Sequence, residues 1–186
     1  MAHFLHVSAL IGVCIMAAGT HAQDASEQKA QGFIDVFLTT CLKHYGKPDA
    51  LRADLDQRRL PQVPAQYASF FLNGKEGHAW SATNPMGEYV ISLRADGVCA
   101  VFARRAKDTE VQKLFATLVE GLAIPPMTVK KEEDKSSMTP NGPTRYVSYT
   151  YSKAEAKGSL HFGLTTASSE SADLQAMATL SMVRNE

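Results

Sequence analysis

Once the first 22 residues are set aside, the chain keeps only two cysteines, Cys41 and Cys99. An even cysteine count in an exported chain implies a disulfide, and two cysteines allow a single pairing. The separation is 58 residues, 99 minus 41. Closing a loop of that length contributes about 4 kcal/mol in the chain-entropy model. A typical domain has only about 5–15 kcal/mol of stability in all. The bond would fasten the segment before residue 41 to whatever element contains residue 99. The alternative is a pair of buried free thiols. Zinc does not suit the pattern, because there is no C-x-x-C and only His44, His78 and His161 lie downstream of residue 22. No cofactor is expected. The missing C-x-x-C also leaves thiol exchange without a motif.

The disulfide reading depends on the compartment, which the first residues address. Residues 4–18, FLHVSALIGVCIMAA, contain no Lys, Arg, Asp or Glu. That stretch is shorter than the roughly 20 residues a spanning helix needs. Thr20 and Ala22 flank His21 in an A-x-A-like pattern. Residues 1–22 are therefore expected to form a secretory signal peptide cleaved after Ala22, which delivers the protein to the periplasm. The n-region MAHFLH has no Lys or Arg, so a hydrophobic N-terminal element is the competing reading. Cys14 follows Val13 rather than a small residue, which argues against lipidation.

Residues 23–186, numbering 164, are expected to form a single domain. No transmembrane segment is expected in that mature part. The 19 Lys and Arg balance the 19 Asp and Glu, at a pI near 7.0. Nucleic-acid binding driven by bulk charge is thereby disfavoured.

In residues 26–44, Phe33, Ile34, Phe37, Leu38, Cys41 and Leu42 recur as one stripe of a helix. Ser26 is the expected cap, and Gly46 with Pro48 the stop. Short helices follow over Pro48–Leu60 and Ala65–Leu72, the second carrying Tyr67, Phe70 and Phe71. The period then changes. His78–Thr83, Glu88–Ala95 and Val98–Ala103 read as a three-stranded meander. Its turns are Asn84-Pro85-Met86-Gly87 and the Asp96-Gly97 hairpin signal. Asp108–Leu122 returns to helical spacing. Arg145–Ser152 and Ser159–Thr166 read as strands, and Ala176–Val183 as a strand in preference to a helix.

The fold class expected is α+β: an antiparallel sheet of about six strands in two meanders. VCAVFA is apolar on both pleat faces, so this strand should be central and covered on both sides. Bonding Cys41 to Cys99 places the N-terminal helices on the Cys99 face. The middle helix, 108–122, is then expected on the other.

Catalytic signatures are missing from the sequence: no Walker loop, H-E-x-x-H, G-x-S-x-G or dinucleotide fingerprint is present. Residues that a ligand or partner would use are His78 and Trp80, two apart on one pleat face; Arg104 and Arg105, a short basic strand end; and Tyr149 and Tyr151, which share a pleat face with Val147. Each has a plainer alternative. His78 would be a surface residue beside a core-edge Trp, the arginines would be solvated, and the tyrosines would pack in the core. The run Lys130-Lys131-Glu132-Glu133-Asp134-Lys135 reads as a solvated loop or a charge-protected edge strand.

Cys41 late in the first helix, Gly77-His78-Ala79-Trp80, Gly87-Glu88-Tyr89-Val90 and Asp96-Gly97-Val98-Cys99-Ala100-Val101 together give a pattern over residues 30–182. It resembles a family of small exported or lipid-anchored proteobacterial proteins with no established activity. The resemblance implies export, a two-cysteine pattern and a shared fold, not a reaction. The chain departs from lipid-anchored members in lacking a usable lipobox. The function expected is a soluble periplasmic, non-catalytic binding or inhibitory module, of the immunity type, with another periplasmic protein as partner. Two alternatives stand beside it. One is a periplasmic hydrolase whose site, around His78, Trp80 and Arg104, forms only in the fold. The other is a structural accessory of the cell envelope.

Overall fold

The computed structural model describes residues 25–184. The expected signal peptide and its cleavage point lie outside these residues. Within them, the helices are α1 (Ala25–Phe37), α2 (Pro48–Gln57), α3 (Ala65–Phe71) and α4 (Asp108–Glu120). The strands are β1 (Gly77–Asn84), β2 (Gly87–Arg94), β3 (Cys99–Ala103), β4 (Met127–Thr139), β5 (Gly142–Lys153), β6 (Gly158–Ala167) and β7 (Ala176–Arg184). The seven strands form one antiparallel sheet in the order β1-β2-β3-β7-β6-β5-β4. The fold is α+β as expected, with seven strands instead of about six. The two meanders meet at β3 and β7, so β3 is central. The helix α4 carries the chain from the middle of the sheet to its far edge.

One register row crosses six strands: Trp80, Ile91, Val101, Ala178, Leu164 and Val147. None is more than 6% exposed. This row and its same-face neighbours make one face of the sheet apolar from β1 to β5. Alternation puts Ser148, His161, Gly163, Thr165, Thr179 and Ser181 on the opposite face. An apolar helix stripe must bury against apolar surface, so the sheet's own pattern decides where α1 and α4 lie.

Both lie on the apolar face. Phe37 of α1 packs against Phe115 of α4 and Phe162 of β6, at ring-centroid distances of 5.8 and 6.4 Å. The expectation that the middle helix covers the face opposite the N-terminal helices is therefore corrected. The other half of that expectation holds, because β3 is buried on both sides. Val101 faces α1, and Ala100 and Phe102 face away with only 4% and 5% exposed. Phe102 is covered by α3, whose Phe71 meets it edge-on at 5.1 Å.

Cys41 and Cys99 are bonded, with Cα atoms 5.5 Å apart. The first helix does not run unbroken to residue 44. It widens into a π-turn over Leu38–Leu42, where Lys43 N–H donates to the Leu38 carbonyl at 3.1 Å. Thr40 Oγ1 donates to the Val36 carbonyl at 2.6 Å inside this turn. The bond fixes the turn to the start of the central strand.

The sheet's two edges are protected by different means. At β1 the segment 61–63 pairs with the outer side. Val63 N–H donates to the Ala79 carbonyl and Ser81 N–H to the Pro61 carbonyl, both at 2.8 Å. At β4 the run Lys130–Lys135 is charged, and the register shifts between Lys131 and Glu133. Charge and a bulge both discourage a further strand from adding there.

Candidate ligand cleft beside α3

The helix α3 is seven residues long and carries three aromatic side chains. Pro64 precedes it with φ −53°, a pre-set entry. A helix this short, lying on a sheet, buries one narrow stripe. Phe71 takes that stripe and packs on Phe102. Tyr67 and Phe70 are left 60% exposed each. Phe70 stays in edge-on contact with Phe71, ring centroids 5.2 Å apart.

Along the inner flank of α3 runs a cleft of about 340 Å³. Phe71, Phe102, Val90 and Leu174 supply its apolar surface, and Glu88 and Arg104 its charges. Strand register brings the charges together. The β2–β3 ladder ends at Tyr89 and Ala103; Glu88 lies just beyond it on β2 and Arg104 in the bend that leaves β3, and both line the cleft with Val90 and Phe102. Leu174 arrives from the loop that leads into β7. The sizes and chemistry suit a small amphiphilic ligand: an apolar bed with a guanidinium and a carboxylate at its rim.

Of the residues singled out in the sequence, only Arg104 lies in this cleft. His78 is exposed and its ring sits 5.7 Å from that of Trp80, so the two do share a pleat face. Trp80 is fully buried, and its Nε1–H donates to Asp56 Oδ1 at 3.3 Å. It offers no surface to a ligand. His78 aligns through Leu93 with Cys99, five positions from Arg104 along the strands, or about 17 Å. The two also stand on opposite faces of the sheet. The constellation of His78, Trp80 and Arg104 is therefore not assembled. Arg105 is exposed with φ 56°, and its backbone N–H donates to Gln175 Oε1. Tyr149 is 3% exposed and packs on Phe115 at 6.3 Å, while Tyr151 is half-buried against Phe162 at 6.5 Å. Both tyrosines take the packing role. Burial pushes the Tyr149 hydroxyl pKa up.

Two other polar places are built for structure. Arg145 holds Asp134 with two bonds, Nε to Oδ1 at 2.7 Å and Nη2 to Oδ2 at 2.8 Å. Its Nη1 donates to Gln112 Oε1 at 2.5 Å, and Gln112 Nε2 donates to Thr166 Oγ1 at 2.7 Å. Hydrogen bonds from Arg145 first, and from Lys131 second, hold the Asp134 carboxyl far below the usual carboxylate range. This cluster ties α4 to β4, β5 and β6. The second place is a cavity of about 380 Å³ walled by the disulfide, His44, Leu51 and Met182. There His44 Nε2 lies 3.5 Å from Asp54 Oδ2, and Arg58 Nη2 lies 2.5 Å from the same oxygen. The Arg58 guanidinium balances the Asp54 carboxylate there.

Glu88, Phe71 and Leu174 were not readable as site residues. The signal available was the aromatic density of residues 67–71, more than so short a helix can bury. Among the described residues no group of three His, Cys, Asp or Glu side chains gathers as a metal site, and no helix is long and apolar enough to cross a membrane. No family model matches the chain, and no match was found among curated proteins or solved structures.

Proposed function

We propose that the chain is a periplasmic, non-catalytic binding or inhibitory module, of the immunity type, whose recognition surface is the α3 side of the sheet. The observation that carries this reading is the exposure of Tyr67 and Phe70, 60% each, on one short helix. Large aromatics left in water give up burial that a core position would have provided. Aromatic side chains are also the residues most enriched at the centres of protein interfaces. Here they sit one helical turn apart, on a helix held to the sheet through Phe71. The disulfide Cys41–Cys99 fits an oxidising compartment. The resemblance to a family of small exported proteins supports the same address.

The experiment is affinity capture from periplasmic extract with the oxidised chain and with a Tyr67→Ala/Phe70→Ala variant as baits. Both side chains point outward, so the variant keeps its fold. The expected result is one stoichiometric partner on the parent chain and its loss on the variant. Recovery of no stoichiometric partner by the parent, or equal recovery by both baits, contradicts the reading.

A further inference from the structure

Glu88 and Arg104 put opposite charges at the rim of one cleft. Opposite charges placed close together at the ends of neighbouring strands gain a little by pairing. Their backbone positions are one step beyond the Tyr89–Ala103 pair, and both side chains border the same cleft. Yet no side-chain ion pair or hydrogen bond joins them, or ties either side chain to another described residue. By comparison, Arg94 is paired with Asp96, and Arg145 with Asp134. The Glu88 and Arg104 heads are both exposed, with the apolar bed of Val90, Phe102, Phe71 and Leu174 beside them.

Ligand classes can be sorted by what they would leave unmatched. An inorganic anion would meet Arg104 but be repelled by Glu88, and would waste the apolar bed. A simple amine would meet Glu88 and leave Arg104 facing a like charge. A hydrocarbon would desolvate both charges without compensation, which is costly. A molecule with an ammonium, a carboxylate and an apolar side chain on one carbon satisfies all three features together. The cleft, about 340 Å³, is at the small end of the roughly 300–1,000 Å³ of small-molecule sites.

We propose that this cleft binds a free α-amino acid with an apolar side chain. Glu88 takes the ammonium, Arg104 takes the carboxylate, and the side chain lies on Phe102 and Phe71. This goes beyond the partner surface proposed above. That surface is the outward side of α3, Tyr67 and Phe70, while the amino-acid site is the inward flank.

Isothermal titration of the oxidised chain with L-phenylalanine and L-leucine tests the proposal. Single-site binding is expected for both. N-acetyl-L-phenylalanine removes the ammonium and L-phenylalaninamide the carboxylate, and each should bind about tenfold more weakly or worse. Arg104→Gln should weaken L-phenylalanine by a similar factor while no longer distinguishing it from the amide. Glu88→Gln should abolish the distinction from the N-acetyl compound. Tyr67→Ala/Phe70→Ala should leave the titration unchanged, which separates this site from the partner surface. The proposal is overturned if neither amino acid binds up to its solubility limit, or if both head-masked compounds bind as well as L-phenylalanine. It is overturned equally if Arg104→Gln and Glu88→Gln leave affinity unaltered. Failure here with α3-dependent partner capture intact would refute the amino-acid site and leave the partner reading standing.

Discussion

Placing α1 and α4 on the same face of the sheet makes a quantitative claim about Phe37 and Phe115. The two rings are 0% and 1% exposed, and their centroids are 5.8 Å apart at an interplanar angle of 53°. Replacement of either by Leu keeps the site apolar and most of its volume. Each single change should cost about 1–2 kcal/mol, well under the about 3–5 kcal/mol of Phe→Ala. An aromatic pair in such contact is worth about 0.5–1.5 kcal/mol beyond the area it buries. Either single change removes that pair contribution in full. The double variant Phe37→Leu/Phe115→Leu should therefore lose about 1 kcal/mol less than the sum of the singles. Urea denaturation of the four proteins measures this, provided the denaturant slope is common to all four. With one helix on each side of the sheet the rings would be out of contact and the two costs would add. Additivity within about 0.3 kcal/mol would refute the shared-face packing.

Removing the crosslink with Cys41→Ala/Cys99→Ala should lower stability by about 4 kcal/mol, for a closed loop of 58 residues; denaturation with and without reductant should give the same figure for the parent chain. The Tyr89 hydroxyl donates to the Lys29 carbonyl at 3.2 Å, and burial, aided by the Asp35 charge, pushes its pKa up to about 12. An acid whose pKa is raised on folding contributes stability in full below its unfolded pKa, about 10. That contribution fades as pH climbs from 10 toward 12, so Tyr89→Phe should flatten the alkaline limb of a stability–pH profile. Asp134, with its pKa depressed by Arg145 and Lys131, behaves with the opposite sign. Its contribution is present above the ordinary carboxylate range and is lost as pH falls below it. Asp134→Asn should blunt the acid limb, by an amount that added salt reduces because the group is exposed. Gly32→Ala would set a methyl 2.1 Å from Tyr89 Oη; it should cost about 1–3 kcal/mol of thermal stability by displacing that ring.

The meander β1–β3 was legible because its turns carry their own chemistry. Asp96-Gly97 supplies the backbone a tight hairpin needs, and Gly97 has φ 86°. The pairing of Cys41 with Cys99 was legible from arithmetic alone. Strand β4 was only half legible. The charged stretch 130–135 shows no apolar alternation, because an edge strand solvated on its outer side has little to bury. The location of α4 was misread for an instructive reason. The apolar pattern of VCAVFA is local, whereas the face α4 occupies is decided by strands that follow it in sequence. Tyr149, Phe162 and Leu180 fall in one register row with Cys99, and that alignment exists only after β7 returns to β3. The α3 cleft was hidden for the same reason, since Glu88, Arg104 and Leu174 meet through register and a loop. Arg104 alone stood out, as part of a short basic run at a strand end.

A peptide mass map of the protein from a periplasmic fraction, alkylated before any reductant is added, tests the address and the crosslink most directly. A chain beginning at Gln23, a crosslinked peptide pair containing residues 41 and 99, and no alkylated thiol are expected. Alkylation of both cysteines in the unreduced chain would contradict this, leaving the N-terminal helices without the covalent anchor on the central strand.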